Sequence, residues 1–194
     1  VTVTATTAPG YLTVYPHGDA VPTASNLNWV AGRTVPNLVT VPVKDGKVSF
    51  RNSSPGTVHL VADLAGYYGA KGLDTYRPVG PWRAMDTRQD WGGGDGPVRR
   101  AGAVPARGTL DLALNVPATA VTLNVTVTAP GGPGFLTAYP YGTARPNASN
   151  LNWVAGQTIA NQVVVPVKDG KASFYNGSDA SVHVVVDVFG YQAP

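Results

Sequence analysis

Hydrophobic and polar residues alternate in short runs along most of the chain, and clusters of Gly, Pro, Asn and Asp separate these runs. Alternation with a period of two is typical of strands that bury one face. Leu27 and Trp29, for example, are expected to face a core. No stretch shows the 3.6-residue apolar period of an amphipathic helix. The pattern predicts strands at residues 1–5, 10–15, 26–30, 37–43, 47–51, 57–64, 81–86 and 109–114.

One segment of the sequence occurs twice. Residues 1–69 align with residues 125–193 without a gap, and the string ASNLNWVAG starts both at Ala24 and at Ala148. The string VPVKDGK is also present in both copies. Its Asp-Gly pair predicts a two-residue hairpin with a type I′ turn. Identity of this extent indicates duplication of one unit of about six strands.

These patterns predict an all-β protein with two homologous lobes, each a roughly six-stranded antiparallel barrel or sandwich. Residues 1–69 form the first predicted lobe and residues 125–194 the second. Residues 70–124 occur once and are rich in Gly, Arg and Pro, so they are predicted to connect and cap the lobes through a long Gly-rich loop. A second architecture stays open, in which the second unit is complete and the first is a truncated neighbour.

Composition excludes several classes of function. Charged residues make up 13% of the chain and the net charge is +3, with no basic stripe interleaved with aromatic residues, so nucleic acid is not an expected partner. The chain has no cysteine, which excludes disulfides and thiolate chemistry. No apolar run approaches the ~20 residues that span a bilayer, so membrane insertion is not expected. No signal peptide opens the chain, and we expect it to begin inside a larger precursor.

Candidate catalytic groups are few. Alternation places His59 and Asp63 on one face of a strand, and likewise His183 and Asp187. No Gly-x-Ser-x-Gly elbow accompanies them, so a Ser-His-Asp triad is not expected. Both aspartates are predicted instead to accept hydrogen bonds from backbone amides at a turn. The chain is therefore not expected to be an enzyme.

Metal ligands are similarly scarce, since the three histidines of the chain are widely spaced. Asp86, Asp90 and Asp95 lie in the Gly-rich loop, and carboxylates are ligands that calcium prefers. Their spacing matches no calcium-binding loop, and Asp86 is expected to pair with Arg83 or Arg88. Neither a metal nor a cofactor is predicted.

Aromatic rings and asparagine amides are the candidate ligand contacts. Alternation places Tyr11, Thr13 and Tyr15 on one face of their strand, and Tyr139 repeats Tyr15 in the second copy. Flat rings stack on the apolar faces of sugars, and an amide offers both a donor and an acceptor to hydroxyls. The alternative is that the rings pack and the amides satisfy backbone groups. The candidate contacts are Tyr15, Tyr139, Tyr141 and Trp91, with Asn26, Asn28, Asn150 and Asn152 as polar partners.

The string Arg83-Ala84-Met85-Asp86-Thr87-Arg88 resembles the R-x-x-D-T-R opening of a tandem β-rich repeat module of secreted actinobacterial (Streptomyces-type) proteins. Residues 118–127, the ASNLNW and AGQT strings and the closing Gly-Tyr resemble the rest of that module. The resemblance covers nearly the whole chain. It implies that residues 76–191 are one full unit and residues 1–68 the last two-thirds of another. It also implies a secreted or cell-surface accessory module, with no established ligand.

We therefore expect a non-catalytic secreted binding module whose partner is a cell-surface or extracellular polysaccharide or glycan, held at two weak equivalent sites. The alternative is a structural or scaffold module that assembles other exported proteins through its β edges. Exposed aromatic residues in equivalent clefts would favour the sugar. Exposed strand edges and apolar patches would favour assembly.

Overall fold

A computed structural model describes residues 1–69, 72–88 and 102–194, and these residues form antiparallel strands and no helix. These residues form fourteen strands in two compact units, Val1–Asp63 and Leu64–Pro194. The predicted all-β class is confirmed. Within the described ranges there is no helix that could cross a membrane.

The first unit consists of two three-stranded sheets with the orders β4-β1-β6 and β3-β2-β5. Residues from both sheets, among them Val3, Leu12 and Trp29, form its buried core. The unit therefore has six strands, the number that the sequence predicts. Their bounds are β1 (Thr2–Thr4), β2 (Gly10–Pro16), β3 (Leu27–Trp29), β4 (Val35–Pro36), β5 (Val48–Asn52) and β6 (His59–Val61).

The second unit has eight strands, which are β7 (Thr75–Asp86), β8 (Thr109–Ala113), β9 (Ala120–Thr128), β10 (Gly134–Pro140), β11 (Leu151–Trp153), β12 (Ile159–Pro166), β13 (Lys171–Asn176) and β14 (His183–Ala193). Its two sheets have the orders β11-β10-β13-β8 and β12-β9-β14-β7. Leu136 and Phe174 of one sheet share a buried core with Leu123 and Val186 of the other. The unit is thus a sandwich of open sheets, and its described strands do not close into a barrel.

The segment that occurs once, residues 70–124, supplies strands to the second unit. β7 pairs with β14, and β8 pairs with β13, so each lies at the edge of a four-stranded sheet. Ala84 and Met85 of β7 and Leu110 and Leu112 of β8 are buried in the same core as the repeated strands. These side chains explain the integration, because a strand that contributes to the core cannot act as a loose connector.

Corresponding positions of the two copies, called counterparts below, make the same local contacts. Trp29 Nε1 donates to the carbonyl oxygen of Ala8 at 3.0 Å, and its counterpart Trp153 donates to that of Gly132 at 3.0 Å. The predicted hairpin turns are confirmed in both copies. Asp45 and Gly46 have φ values of 52° and 70°, and their counterparts have 52° and 69°, as a type I′ turn requires.

The strand predicted at residues 37–43 is wrong for the first unit, where β4 ends at Pro36. In the second unit the counterpart stretch belongs to β12, and its residues Val163 to Pro166 pair with Leu123 to Ala120 of β9. Those residues of β9 belong to the segment that occurs once. Among the described residues the first unit has no such partner, and without one the similar sequence of residues 37–43 does not form a strand.

Candidate functional site

The repeated tyrosines do not form two matching exposed platforms. Tyr15 is half-buried, whereas its counterpart Tyr139 is only 8% exposed. On the same face, Thr13 donates to the carbonyl oxygen of Ala24 at 2.6 Å, and Thr137 donates to that of Ala148 at 2.6 Å. These bonds hold the loop that follows each strand against the sheet.

The four candidate amides all have partners inside their own unit. The Oδ1 atoms of Asn26 and Asn150 each accept a hydrogen bond at 2.7 Å from a backbone N–H, of β2 and β10 respectively. The Nδ2 atoms of Asn28 and Asn152 each donate at 3.1 Å to the hydroxyl of the serine three residues earlier. These are the backbone and turn contacts that the alternative to sugar contact predicts, and each uses one of the two polar atoms of the amide.

Replacing Asn150 with alanine is expected to lower the free energy of unfolding of the second unit by about 1 kcal/mol, because the Ala138 N–H loses its acceptor. Asn26→Ala should cost the first unit a similar amount, since Val14 N–H makes the same bond. Hydrogen exchange measured by mass spectrometry on the full chain reports each unit separately. Unchanged exchange in both variants would contradict the structural role.

Tyr141 and its surroundings differ between the copies. The Lys171 ammonium lies 4.6 Å from the centroid of the half-exposed Tyr141 ring, a cation–π contact. The counterpart of Tyr141 is His17, whose Nδ1 lies 3.3 Å from Ser49 Oγ. The aromatic group is therefore not repeated here. Trp91, like Asp90 and Asp95 of the calcium hypothesis, lies outside the described residues.

Asp86, at the end of β7, binds two arginines. Its side chain is fully buried, and Oδ2 accepts from Arg88 Nη2 at 2.6 Å and from Arg83 Nη1 at 3.1 Å. Oδ1 accepts from Arg88 Nε at 2.9 Å and from the Arg88 backbone N–H at 3.1 Å. The hydrogen bonds from Arg88 lower the pKa of Asp86 to about 2. The expected pairing is confirmed for both arginines, and it occupies both carboxylate oxygens.

The same R-x-x-D-T-R string attaches β7 to β14. Arg83 Nε donates to Asp187 Oδ1 at 2.6 Å, and these two residues are paired across the strands. Thr87 Oγ1 accepts from the Val184 N–H at 2.9 Å and lies 3.1 Å from His183 Nδ1. We call these contacts the β7 clamp. Among the described residues, no three metal-ligating side chains are grouped together.

The prediction that Asp187 accepts backbone amides at a turn is wrong. Asp187 lies inside β14 and faces an arginine of the neighbouring strand. Alternation correctly assigned His183 and Asp187 to one face, but both of their partners come from the segment that occurs once. The string itself was the available signal, since an Arg, an Asp and a Thr at this spacing are hydrogen-bonding groups that need partners.

In the first unit, no described strand pairs with the outer side of the strands that correspond to β13 and β14. β5 and β6 are edge strands of their sheets, and Phe50, Leu60 and Val61 are 37%, 39% and 46% exposed. Their counterparts Phe174, Val184 and Val185 are 0%, 1% and 5% exposed, because β8 and β7 continue the sheets beyond them. We call residues 48–52 and 59–63 of the first unit the open edge.

Polar groups on the open edge also match groups that are bonded in the second unit. Asn176 Nδ2 lies within hydrogen-bonding distance of the carbonyl oxygens of Val104, Pro105 and Ala180, at 3.3, 2.9 and 2.9 Å. Its counterpart Asn52 donates to the Gly56 oxygen alone, as far as the described residues show. The counterpart of Asp187 is Asp63, which is exposed. The open edge thus carries the same hydrogen-bonding side chains that have additional partners in the second unit.

Comparison with known proteins adds no relative to this picture. No protein-family model matches the chain, and a search of the curated proteins finds no similar sequence. The β7 clamp and the open edge are therefore the two features from which a function can be inferred.

Proposed function

We propose that the chain is a non-catalytic assembly module of an exported protein, and that its first unit takes up a further β segment, of this protein or of another, by strand addition at the open edge. The observation that carries the proposal is the difference between counterparts. The strands that are covered by β7 and β8 in the second unit are uncovered in the first. Free N–H and C=O groups along a strand edge are a template for a further strand.

The composition of the edge supports this role. Proteins that keep a strand edge unpaired protect it with lysine, proline, inward-pointing charge or a bulge. A very short edge strand is a further protection, and β6, which consists of His59, Leu60 and Val61, has that one but none of the others. A sandwich of six short strands is also small, so it gains much of its stability when further strands extend its sheets. An added strand would therefore stabilise the unit that binds it.

The proposed location is outside the cell or on its surface. The resemblance of the R-x-x-D-T-R string and of the repeated blocks to a module of secreted proteins supports export. The absence of cysteine is compatible with it, since the second unit builds its core without disulfides. The added segment in this proposal belongs to an exported protein, either this one or another.

A carbohydrate ligand is the second candidate, supported by the partial exposure of Tyr15 and Tyr141 at the ends of β2 and β10. The internal bonding of the four amides and the burial of Tyr139 leave this candidate with fewer contacts than the sequence suggested. Its site would consist of single rings rather than of two equivalent clefts.

One experiment with two arms distinguishes the candidates. The full chain is used to select binders from a displayed library of random linear peptides, and it is screened in parallel on a glycan array. We expect extended peptides whose binding is lost in the Leu60→Lys, Val61→Lys variant, because two lysines make the edge repel added strands. The matched control carries Val30→Lys, which changes an exposed residue away from the edge.

Peptide binding that survives the edge variant, or no peptide binding together with glycan binding that is lost in Tyr15→Ala or Tyr141→Ala, would contradict the assembly proposal. Hydrogen exchange of residues 59–63 in the presence of a selected peptide locates the contact directly.

A further inference from the structure

We infer that the open edge accepts one particular kind of segment, which carries an R-x-x-D-T-R string and adds two antiparallel strands as β7 and β8 do in the second unit. This inference rests on the proposed function and names the partner's chemistry. Pairing register, charge, burial and one glycine support it.

The register of the second unit defines what the open edge can receive. β14 pairs with β7 so that Val185 faces Asp86, Val186 faces Met85 and Asp187 faces Arg83. The counterparts of these three β14 residues are Val61, Ala62 and Asp63. β13 pairs with β8 from Lys171 to Tyr175, and the counterpart stretch contains β5. Both missing neighbours are therefore antiparallel strands.

The negative charge of Asp63 indicates which side chain the partner must present. Asp187 is bound by the Arg83 guanidinium through two N–H groups, at 2.6 and 3.4 Å. Asp63 has no hydrogen-bonded side chain among the described residues and is exposed. An arginine in the register of Arg83 would give it the same two-point contact, which is the geometry that guanidinium and carboxylate favour.

Burial selects the apolar part of the partner. Ala84 and Met85 of β7 are adjacent at a register shift, whereas Leu110 and Leu112 of β8 alternate with exposed residues, and all four are buried in the second unit. At the open edge, Phe50 and Leu60 are exposed at the positions whose counterparts pack in that core. A segment with the apolar residues of β7 and β8 at the same positions would cover them.

A glycine gives independent support. A Cβ built on Gly190 would lie 2.6 Å from Tyr76 Cζ of β7, so a larger residue there would displace that ring from its present position. Its counterpart Gly66 has no atom within 4 Å of the same position, among the atoms described. Residues 64–69 form no strand, whereas their counterparts belong to β14. The space for an aromatic ring is thus retained where no ring is present.

A second copy of the chain pairing through the same edge fits less well. Neither β6 nor the residues that follow it up to Gly69 include an arginine. Antiparallel pairing of two β6 strands would therefore leave Asp63 of both copies without a guanidinium from the facing strand. A segment of the β7 type supplies one.

The test adds the missing strands to the full chain. A duplicate of residues 72–124 is fused to the N-terminus at Val1, so that it precedes Val1 as the native segment precedes Val125. We expect amide exchange of residues 59–69 to slow at least tenfold, and roughly to the level of β14, because β6 gains a partner and lengthens. The matched control is the same fusion with Arg83→Ala in the added copy, which should lose most of this protection.

A measurement in trans covers the case in which the fusion misfolds. A synthetic peptide of residues 72–88 is titrated into the full chain, and exchange of residues 59–69 reports where it binds. Asp63→Asn should weaken this binding about tenfold, the usual size for one charged hydrogen-bonded pair. Gly66→Ala should also weaken it without changing the stability of the free chain.

The outcomes separate this inference from the proposed function. Library peptides that need Leu60 and Val61, together with no protection by either form of residues 72–88, would keep the assembly role and overturn the partner assigned here. If neither library peptides nor residues 72–88 bind at the open edge, both the assembly role and the assigned partner are overturned. Dimers of the full chain that the Leu60→Lys, Val61→Lys variant abolishes would assign the edge to a second copy and overturn the inference.

Discussion

Phe174→Ala is expected to lower the free energy of unfolding of the second unit by about 4 kcal/mol, whereas Phe50→Ala should cost the first unit about 1 kcal/mol. The two residues are counterparts in strands of matching register. Phe174 is fully buried among core residues of both sheets, so its removal leaves a cavity lined by them. Phe50 is 37% exposed, so less apolar area is lost and water can enter the space.

Hydrogen exchange on the full chain measures both values in one experiment, because each unit reports on its own opening. Leu136→Ala and Leu12→Ala serve as matched controls, since both leucines are buried and should give large and similar losses. Equal costs for the two phenylalanines would show that the open edge is as well covered as β13 and would remove the basis of the assembly proposal.

Local features of the fold could be predicted from the sequence because they depend on neighbouring residues. Alternation located most of the strands, with residues 37–43 of the first unit as an exception, and the Asp-Gly pair predicted both hairpin turns. Leu27 and Trp29 face the core as expected. Strand length is different, since it depends on a partner. The sequence predicts a strand over residues 57–64, but β6 ends at Val61, while its counterpart β14 continues to Ala193 beside β7 and β9.

Burial of polar residues was harder to predict for a related reason. Alternation assigns Thr13 to the same face as two tyrosines, yet it is buried because the loop after β2 crosses that face and accepts its hydrogen bond. The path of a loop is not encoded in the alternation of a strand. The partner of Asp187 could not be found either, because Arg83 is 104 residues away in the chain.

The duplication gave the most useful information once the structure was known. Two segments that share most of their residues meet different surroundings, so residues of the first unit have counterparts in the second that serve as controls. The differences concentrate at β5, β6 and the residues that follow them, which are the counterparts of the strands beside β7 and β8. The greater exposure of β5 and β6 in the described part of the chain therefore comes from the absence of strands like β7 and β8 beside them, and not from the repeated sequence itself.

Asp86→Asn is expected to cost the second unit about 2 kcal/mol at pH 7 and to reduce its loss of stability in acid. The pKa of Asp86 is lowered from 3.8 to about 2 by its hydrogen bonds with Arg88. A carboxyl whose pKa is lower in the folded state stabilises that state at pH values above its unfolded pKa. This contribution is lost as the pH falls from about 4 to about 2, and the native and variant chains should then converge.

The size follows from the shift, since one pKa unit corresponds to about 1.4 kcal/mol and the side chain is fully buried. The control is Asp179→Asn, whose carboxylate is 87% exposed and pairs with Arg107 on the surface, so it should change stability by less than about 1 kcal/mol. The first unit has no counterpart of Asp86 and serves as an internal reference.

An acid transition of the second unit that is identical in Asp86→Asn and in the native chain would show that Asp86 does not anchor the β7 clamp. In that case the R-x-x-D-T-R string would have to act through Arg83 and Thr87 alone, which are the two residues that reach across to β14.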